Sequence, residues 1–259
     1  MDILAIGEIL IDLTQTGTDE NGIPQFAANP GGAPANLAVA AAKLGAQTAF
    51  IGKVGADGFG SYLTSVLKQN GVDTSHVAVD PEDPTTIAVV SVDASGERSF
   101  SFYRKANADV KLTAGDIPDS ALQRARFVHF GSVSLTADPS RSATLDAVRR
   151  ARAMGKVITY DPNYRANLWP DAAAAVAQMK APLKLVDILK VSDEELPLLS
   201  GTTDCETGTA LLAEQGIRLI FVTLGPDGVF YRMGSRTGRV SGVPCTVGDT
   251  NGAGDTFFG

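Results

Sequence analysis

The sequence predicts an α/β fold in which a mostly parallel β-sheet is covered by helices. Short apolar runs alternate with longer amphipathic segments along most of the chain. This alternation is typical of parallel strands that are joined by helices. With 259 residues, 44% of them hydrophobic, the chain is long enough for one large domain with a small appendage.

The first part of the chain predicts two strand–helix units. A polar stretch that carries glycine, residues 14–30, separates the first strand from the first helix. Gly45 ends the first helix, and the pair Asn70 and Gly71 ends the second. The predicted elements are a strand at 3–6, a helix at 36–44, a strand at 48–51 and a helix at 59–69.

The pattern changes to a β-hairpin in the next part of the chain. Residues 87–92 and 99–103 are strand-like, and the turn-forming residues 93–97 lie between them. Phe100, Phe102 and Arg104 fall on one face, because side chains alternate along a strand. Such a hairpin is either an ordinary sheet edge or a flap whose arginine reaches a ligand, and the spacing alone favours the edge.

After residue 109 the strand–helix alternation resumes. Pro139, Pro170 and Gly201 separate the segments. The predicted core strands are 127–130, 157–160, 188–191 and 219–223, and the predicted helices are 140–154, 171–180, 193–199 and 207–214.

Composition excludes several classes of function. The net charge is -7 and the isoelectric point about 4.9, with no basic stripe for nucleic acid. The longest apolar runs are too short to span a membrane, and the N-terminus lacks a charged signal region. Cys205 and Cys245 are expected to be buried thiols of a cytoplasmic protein. His76 and His129 lack metal-ligand spacing and are expected to be structural.

A glycine turn near the C-terminus carries the chemistry. Gly252, Ala253 and Gly254 are small enough for their N–H groups to approach an anion closely. Asp255 follows directly, where a carboxylate could take a proton from a hydroxyl. Asp255 could instead be a plain helix-start charge, and Gly-Ala-Gly alone occurs in many tight turns. No other standard phosphate, hydrolase or metalloprotease motif is present, so phosphate handling by this turn is favoured.

A second glycine cluster lies near the N-terminus, and it is the other half of a two-part sequence signature. Residues 31–38 begin Gly-Gly-Ala-Pro-Ala-Asn, and Leu44 and Gly45 lie beyond them. This cluster, together with residues 249–255 and the glycine-bearing stretches 52–60 and 222–225, resembles the signatures of the ribokinase-type (PfkB) carbohydrate kinases. The resemblance covers essentially the whole chain, since both clusters occur in the expected order and at the expected separation.

That resemblance implies a fold and a reaction. The fold is a ribokinase-like, doubly wound sheet flanked by helices, forming one kinase domain over residues 1–259. A small β-sheet lid, at roughly 13–30 and 85–108, is inserted in it. The reaction is phosphoryl transfer from ATP to a small sugar, with Mg²⁺. Activation by a monovalent cation such as K⁺, and a homodimer through the lid, are compatible with the resemblance.

The resemblance also assigns roles to individual residues. Asp255 is the expected catalytic base, the turn Gly252, Ala253 and Gly254 is the anion hole, and Arg165 neutralises the transferring phosphate. Glu195 is expected to orient water on Mg²⁺. The expected sugar-binding residues are Asp12, Gly31, Gly32, Asn36, Phe100, Phe102 and Arg104. The expected nucleotide-binding residues are Asn163, Lys190, Ser192, Thr223, Gly225 and Gly228.

Two departures from the family pattern limit these assignments. Ser192 stands where the family has asparagine, so Ser192 and Glu195 could equally be a helix cap with an acidic first turn. The chain also stops at Gly259, inside a helix that continues in the family, which suggests a truncated sequence. A sugar-binding protein without turnover therefore stays open as an alternative.

Several details favour fructokinases within the family. They are the Gly-Gly-Ala-Pro-Ala-Asn spelling, Phe-Tyr-Arg at 102–104, Asp-Pro-Asn-Tyr-Arg at 161–165 and Lys-Val-Ser-Asp-Glu-Glu at 190–195. The expected acceptor is D-fructose, at its 6-hydroxyl. The 2-keto-3-deoxygluconate kinases are the nearest alternative, and ribokinases and nucleoside kinases rank lower. The carboxylate of ketodeoxygluconate would need cations, which Arg104 and Arg165 could provide.

Overall fold

The structure is a computed structural model that describes residues 1–92, 98–246 and 252–259, with side chains described within 1–90, 101–246 and 252–259. The strands within these parts form two sheets. Their bounds are β1 Ile3–Ile6, β2 Leu10–Thr18, β3 Pro24–Gly31, β4 Thr48–Gly55, β5 Asp73–Asp80, β6 Ile87–Val92, β7 Arg98–Tyr103, β8 Phe127–Gly131, β9 Val157–Asp161, β10 Ile188–Ser192, β11 Leu219–Thr223, β12 Val229–Met233 and β13 Arg236–Val240.

The larger sheet has nine strands in the order β13-β12-β11-β10-β9-β8-β1-β4-β5. All described pairs in it are parallel except those that β12 makes with β11 and β13. The chain starts at β1, third from one edge, winds outward through β4 and β5, and then returns to add the other six strands, from β8 to β13. The expected doubly wound sheet is therefore confirmed, with its switch point between β1 and β8.

Helices cover this sheet, and the core lies between the layers. One apolar cluster includes Phe130 stacked on Tyr160, with ring centroids 4.5 Å apart. A second cluster, around Phe50, packs the buried face of the first helix. The helices are α1 Ala33–Lys43, α2 Gly58–Gln69, α3 Asp119–Arg124, α4 Ser140–Ala153, α5 Ala172–Lys180, α6 Glu195–Ser200, α7 Cys205–Ala213 and α8 Ala253–Phe258. In the described parts of the chain, none of them is long and apolar enough to cross a bilayer.

The smaller sheet has four strands in the order β3-β2-β6-β7. The antiparallel pair of β6 and β7 confirms the expected hairpin, although its turn lies outside the described residues. The chain pattern alone gave no strands at 14–30, and this was wrong, because β2 and β3 pair there. Much of both strands is solvent-exposed, so they lack the apolar runs of a buried strand.

Other short elements also lacked a recognisable pattern. Strands β5, β12 and β13 lie at the two ends of the large sheet, where few of their side chains are buried. The six-residue helix α3 is too short to show a helical period. The predicted core strands and long helices are all present, with ends that differ by a few residues. The core elements could be predicted because their burial gives a clear apolar pattern in the sequence. The partly exposed elements have no such pattern.

Candidate active site

A cleft of about 650 Å³ lies between the two sheets, beside the end of β1 at the switch point. Ligands of doubly wound proteins bind outside the carboxyl ends of the strands at such a point. The small sheet, the start of α1, the loop after β9 and the start of α8 all contribute to its walls. Segments that are far apart in sequence therefore meet around one space.

Asp255 lies buried at the inner wall of this cleft, with 6% of its surface exposed. Its Oδ2 accepts a hydrogen bond from Asn36 Nδ2 at 2.9 Å, and its Oδ1 accepts one from Asn163 Nδ2 at 2.7 Å. Burial raises the pKa of Asp255, while Asn36, Lys190, Arg165 and Asn163 oppose that rise. A carboxylate with these properties is oriented and is a better proton acceptor than one in water.

The turn before Asp255 is built on a left-handed glycine. Gly252 has φ 69° and precedes α8, whose first N–H groups have no helical partner. Gly254 packs on the ammonium of Lys190, since a Cβ on Gly254 would lie 2.7 Å from Lys190 Nζ. The expected anion-hole residues therefore lie above a cation. Residues 249–251, which belong to the same motif, lie outside the described part.

Lys190 is itself buried and forms an ion pair with Asp161, Nζ to Oδ2, at 3.0 Å. Burial would lower the pKa of Lys190, but the carboxylates of Asp161, Glu195 and Asp255 raise it above its ordinary value. The ammonium therefore stays charged beneath the turn. Lys190 does not line the cleft, so its ammonium contacts Asp161 and the turn at Gly254 rather than the open space.

The loop after β9 supplies two further polar groups. Asn163 adopts a left-handed conformation, with φ 47°, that asparagine tolerates well. Its N–H donates to Asp161 Oδ1 at 3.1 Å, and its side chain holds Asp255. Arg165 is exposed and lines the cleft, and its charge is close enough to lower the pKa of Asp255. The expected phosphate-neutralising arginine thus faces the same space as the expected base.

Most of the expected sugar-binding residues line this cleft. Asp12, Gly31, Gly32 and Asn36 do so, and Phe102 reaches it from β7. The carboxylate of Asp12 lies directly against the Cα of Gly31, so a side chain at Gly31 would collide with it. The side chain of Phe100 lies outside the described part.

Arg104 does not lie where the expected sugar-binding role would place it. Its side chain is only 3% exposed, and it is not among the residues that line the cleft. Its guanidinium donates to Asp109 Oδ2 at 2.6 Å, to Thr136 Oγ1 at 2.6 Å and to the Val133 carbonyl at 3.1 Å. In this structure Arg104 ties the end of the small sheet to the large domain, and its sugar contact stays a prediction.

The expected nucleotide-binding residues lie at the carboxyl ends of neighbouring strands. Ser192 ends β10 and pairs in register with Thr223 at the end of β11. Gly225 and Gly228 follow in the turn to β12, both with positive φ. None of these four lines the cleft, so the structure places them beside the cleft along the same edge of the sheet. Their nucleotide contacts stay predictions.

Ser192 and Glu195 form a reciprocal pair at the start of α6. The Glu195 N–H donates to Ser192 Oγ at 3.2 Å, and Glu195 Oε2 accepts from the Ser192 N–H at 2.8 Å. The other oxygen, Oε1, accepts from the Tyr164 N–H at 2.6 Å. These two bonds have the pattern of the capping box that the sequence left open, but α6 itself begins at Glu195 with Glu194 at its N-cap, so Ser192 does not cap the helix. The bonds leave lone pairs free on the carboxylate, so they do not exclude a contact with metal-bound water.

Glu8 is a site residue that the sequence reasoning missed. It lies two residues after the end of β1, is 2% exposed, and lines the cleft. A signal was present, because a charged residue at the carboxyl end of a buried parallel strand is unusual. It was overlooked because Asp12, four residues later, is the residue that the resemblance pointed to.

A doubly wound fold whose cleft holds an oriented carboxylate, a glycine turn and cations defines a phosphotransferase that acts on a small hydroxyl compound. The sequence pattern of the pfkB family carbohydrate kinases matches residues 1–259. The chain therefore belongs to the pfkB family of carbohydrate kinases.

Individual relatives agree with this assignment. The chain is 40% identical to fructokinase-2 of Solanum lycopersicum, over 99% of this chain and 79% of that protein. It is 34% identical to fructokinase of Xylella fastidiosa, solved with bound ATP, with a TM-score of 0.91 over 99% of this chain and 78% of that one. It is 36% identical to fructokinase of Vibrio cholerae O395, solved with fructose, ADP and calcium, with a TM-score of 0.87 over 98% and 80% of the two chains.

Proposed function

We propose that this protein is an ATP-dependent fructokinase, which transfers the γ-phosphoryl group of ATP to the 6-hydroxyl of D-fructose. The observation that carries the proposal is the buried carboxylate of Asp255, held by Asn36 and Asn163. The cleft around it is lined by carboxylate and amide groups of the kind that bind sugar hydroxyls. The names of the relatives, including the Vibrio cholerae enzyme solved with fructose and ADP, support the choice of sugar and nucleotide.

Each of these groups has a task in the transfer. Asp255 takes the proton of the attacking hydroxyl, and its raised pKa favours that step. Negative charge then develops on the transferring phosphoryl group. Three groups stabilise that charge with positive potential. They are the N–H groups at the start of α8, the Lys190 ammonium beneath Gly254, and Arg165.

The residues present fit a hydrated Mg²⁺ rather than a protein-built metal cage. Among the residues that the structure describes, no group of three acidic, histidine or cysteine side chains could hold a metal ion. Mg²⁺ is usually held by substrate phosphates and water with one or two carboxylates. Glu195 can accept a hydrogen bond from such a water while keeping its two backbone donors. The metal would supply charge neutralisation on the phosphates, and K⁺ activation belongs to the same proposal.

The position of Arg104 favours fructose over ketodeoxygluconate. A carboxylate substrate needs cations that face the cleft, and the Arg104 guanidinium is already bonded to Asp109. The described cations that line the cleft are Arg165 and Lys43. Arg165 is required for the phosphoryl group in this proposal, which leaves Lys43 as the one described cation lining the cleft for a substrate carboxylate, so a neutral sugar is the better fit.

The test is an assay of ADP release with Mg·ATP over fructose, ribose, ketodeoxygluconate, tagatose and adenosine. We expect fructose to give the highest kcat/KM, with the product phosphorylated at the 6-position by NMR. A preference for ketodeoxygluconate would replace the fructokinase proposal. Binding of fructose without ADP release would instead favour a sugar-binding protein.

We also propose a homodimer through the small sheet. Ile23, Phe26 and Tyr103 are apolar side chains of this sheet and its β2–β3 turn, and they are 56%, 43% and 64% exposed. A second copy would cover such side chains. Analytical ultracentrifugation should give twice the monomer mass, and Phe26→Ser with Tyr103→Ser should lower it. A cytoplasmic location is part of the same proposal, and Cys205 and Cys245 are free thiols. The expectation that both are buried is wrong, because Cys205 is half-buried and Cys245 is exposed.

A further inference from the structure

Glu8 lines the cleft, and one oxygen of its carboxylate is buried without a hydrogen-bond partner among the residues that the structure describes. Its Oε1 accepts a hydrogen bond from the Ala33 N–H, at the first residue of α1, at 3.2 Å. Its Oε2 is buried and has no hydrogen-bond partner among the residues that the structure describes. The residue lines the same cleft as Asp12 and Asp255. The protein therefore holds one acceptor oxygen in place without using it.

Keeping this group buried is unfavourable for the protein alone. A buried acceptor without a partner loses the hydrogen bonds that water would have made, and a charged one loses more. Burial raises the pKa of Glu8 to about 7, with Arg104 opposing the rise and Asp109 adding to it. The Arg104 guanidinium nevertheless donates to Asp109, Thr136 and Val133. A carboxylate kept in this state is more readily explained by a ligand than by stability.

The position of Glu8 relative to Asp255 fits a single small sugar. Both carboxyl groups are attached to α1, Glu8 through the Ala33 N–H and Asp255 through the Asn36 side chain. These two attachment points are three residues apart, about 4.5 Å along a helix. One sugar can therefore present the reacting hydroxyl to Asp255 and another hydroxyl toward Glu8.

We propose that Glu8 Oε2 accepts a hydrogen bond from a non-reacting hydroxyl of the bound sugar and so selects among sugars. This inference rests on the proposed sugar-kinase function but not on fructose being the preferred sugar. The backbone of Glu8 also lies directly beside the glycine pair, since its carbonyl oxygen would be 2.5 Å from a Cβ on Gly32. The glycine pair and the carboxylate thus form one wall of the sugar subsite.

The test combines Glu8→Gln with sugars that each lack one hydroxyl. The sugar ranked first by the ADP-release assay is compared with its monodeoxy analogues, leaving the phosphorylated hydroxyl intact. Glutamine keeps an acceptor for the Ala33 N–H but removes the charged acceptor. Above pH 7, where Glu8 is mostly ionised, we expect Glu8→Gln to lower kcat/KM for the parent sugar by about 10- to 100-fold, the range for a hydrogen bond to a charged group.

One deoxy analogue should then be decisive. For the analogue that lacks the hydroxyl bound by Glu8, the wild-type protein should lose a similar factor and Glu8→Gln should lose little more. For the other analogues, both proteins should lose equal factors. Glu8→Asp, which keeps the charge but withdraws it by one methylene, should behave like Glu8→Gln. The matched control is Glu214→Gln at an exposed position outside the cleft, which should leave every value unchanged.

The outcomes separate this inference from the proposed function. If Glu8→Gln lowers kcat/KM for all analogues by the same factor, or not at all, Glu8 does not contact the sugar and the inference is wrong. If the wild-type protein prefers a sugar other than fructose, only the choice of fructose fails, and the analogue series of that sugar still tests Glu8. If wild-type protein turns over no sugar, both proposals are wrong.

Discussion

At the scale of single residues, two amides fix the orientation of the Asp255 carboxylate. Asn36 comes from α1 and Asn163 from the loop after β9, so three distant segments must be in place before the carboxylate is held. The sequence predicted that these three residues belong to one site. It did not predict that the two asparagines bond to Asp255, because side-chain contacts between distant segments leave no local pattern in a sequence.

The role of Asp255 can be tested with Asp255→Asn. Asparagine keeps the size of the side chain but removes the proton acceptor, so we expect kcat to fall by about 10²–10⁴. ATP affinity should change little, because the Asp255 carboxylate repels phosphate rather than holding it. The matched control is Asp119→Asn, which breaks an exposed ion pair with Arg150 far from the cleft and should leave kcat unchanged. A near-normal kcat in Asp255→Asn would return Asp255 to the role of a helix-start charge.

The pH dependence of the rate should reflect the same carboxylate. Burial raises the pKa of Asp255 above the ordinary 3.8, and a base must be deprotonated to act. The wild-type kcat should therefore rise with pH through that raised pKa and fall as pH drops below it. The residual kcat of Asp255→Asn should lack this acidic limb, because asparagine does not titrate. An identical acidic limb in both proteins would assign it to another group.

At the scale of elements, the start of α1 depends on a close backbone approach. Gly32 has φ 107°, and a Cβ there would lie 2.5 Å from the Glu8 carbonyl oxygen and 2.9 Å from Ile9 Cα. These atoms belong to backbone and cannot move aside without moving β1 or α1. The glycine pair was predicted from the resemblance as a sugar-binding feature. The structure adds the physical reason that the second glycine is required for the helix to reach the cleft.

The two ends of α1 allow this to be measured. Gly45, just beyond the helix, also has a positive φ of 98°, but a Cβ there would meet nothing within 4 Å. Gly45→Ala should therefore cost only the conformational strain, about 1–2 kcal/mol of unfolding free energy. Gly32 has φ 107° and ψ 117°, outside the regions open to residues with a side chain, and Gly32→Ala adds a backbone clash, so we expect it to cost at least about 2 kcal/mol more than Gly45→Ala. Urea unfolding of both variants measures this, and equal losses would show that the approach to Glu8 is unimportant.

At the scale of the whole molecule, the cleft exists because the chain adds strands on both sides of β1 and carries a second sheet. The mostly parallel core was predictable from the pattern, since its strands are buried on both faces and its helices are long, whereas the doubly wound order was expected from the resemblance. The meeting of Asp12, Asn36, Asn163 and Asp255 could be expected only through the resemblance, because local periodicity does not encode tertiary contacts. The position of Arg104 against Asp109, and the unpaired oxygen of Glu8, depend on packing between the sheets, which sequence reasoning could not resolve.

The arrangement of two sheets around one cleft leads to a last prediction, about water. Phe102 reaches the cleft from the small sheet, opposite the large domain that carries Asp255. An apolar side chain there keeps water from the phosphoryl group when the sugar is bound. We expect wild-type protein to release ADP much more slowly without sugar than with it. Phe102→Ala should raise the fraction of ADP released without sugar phosphate, because water then competes as the acceptor.

This prediction is checked by measuring ADP and sugar phosphate in the same reaction. Ser101→Ala is the matched control, since Ser101 is the preceding residue of the same strand, is exposed and lies outside the proposed dimer patch. Successive side chains point to opposite faces of a strand, so Ser101→Ala should leave the two products equal. If Phe102→Ala also keeps ADP and sugar phosphate equal while only KM rises, Phe102 contacts the sugar without excluding water. In that case the large domain alone would have to protect the phosphoryl group.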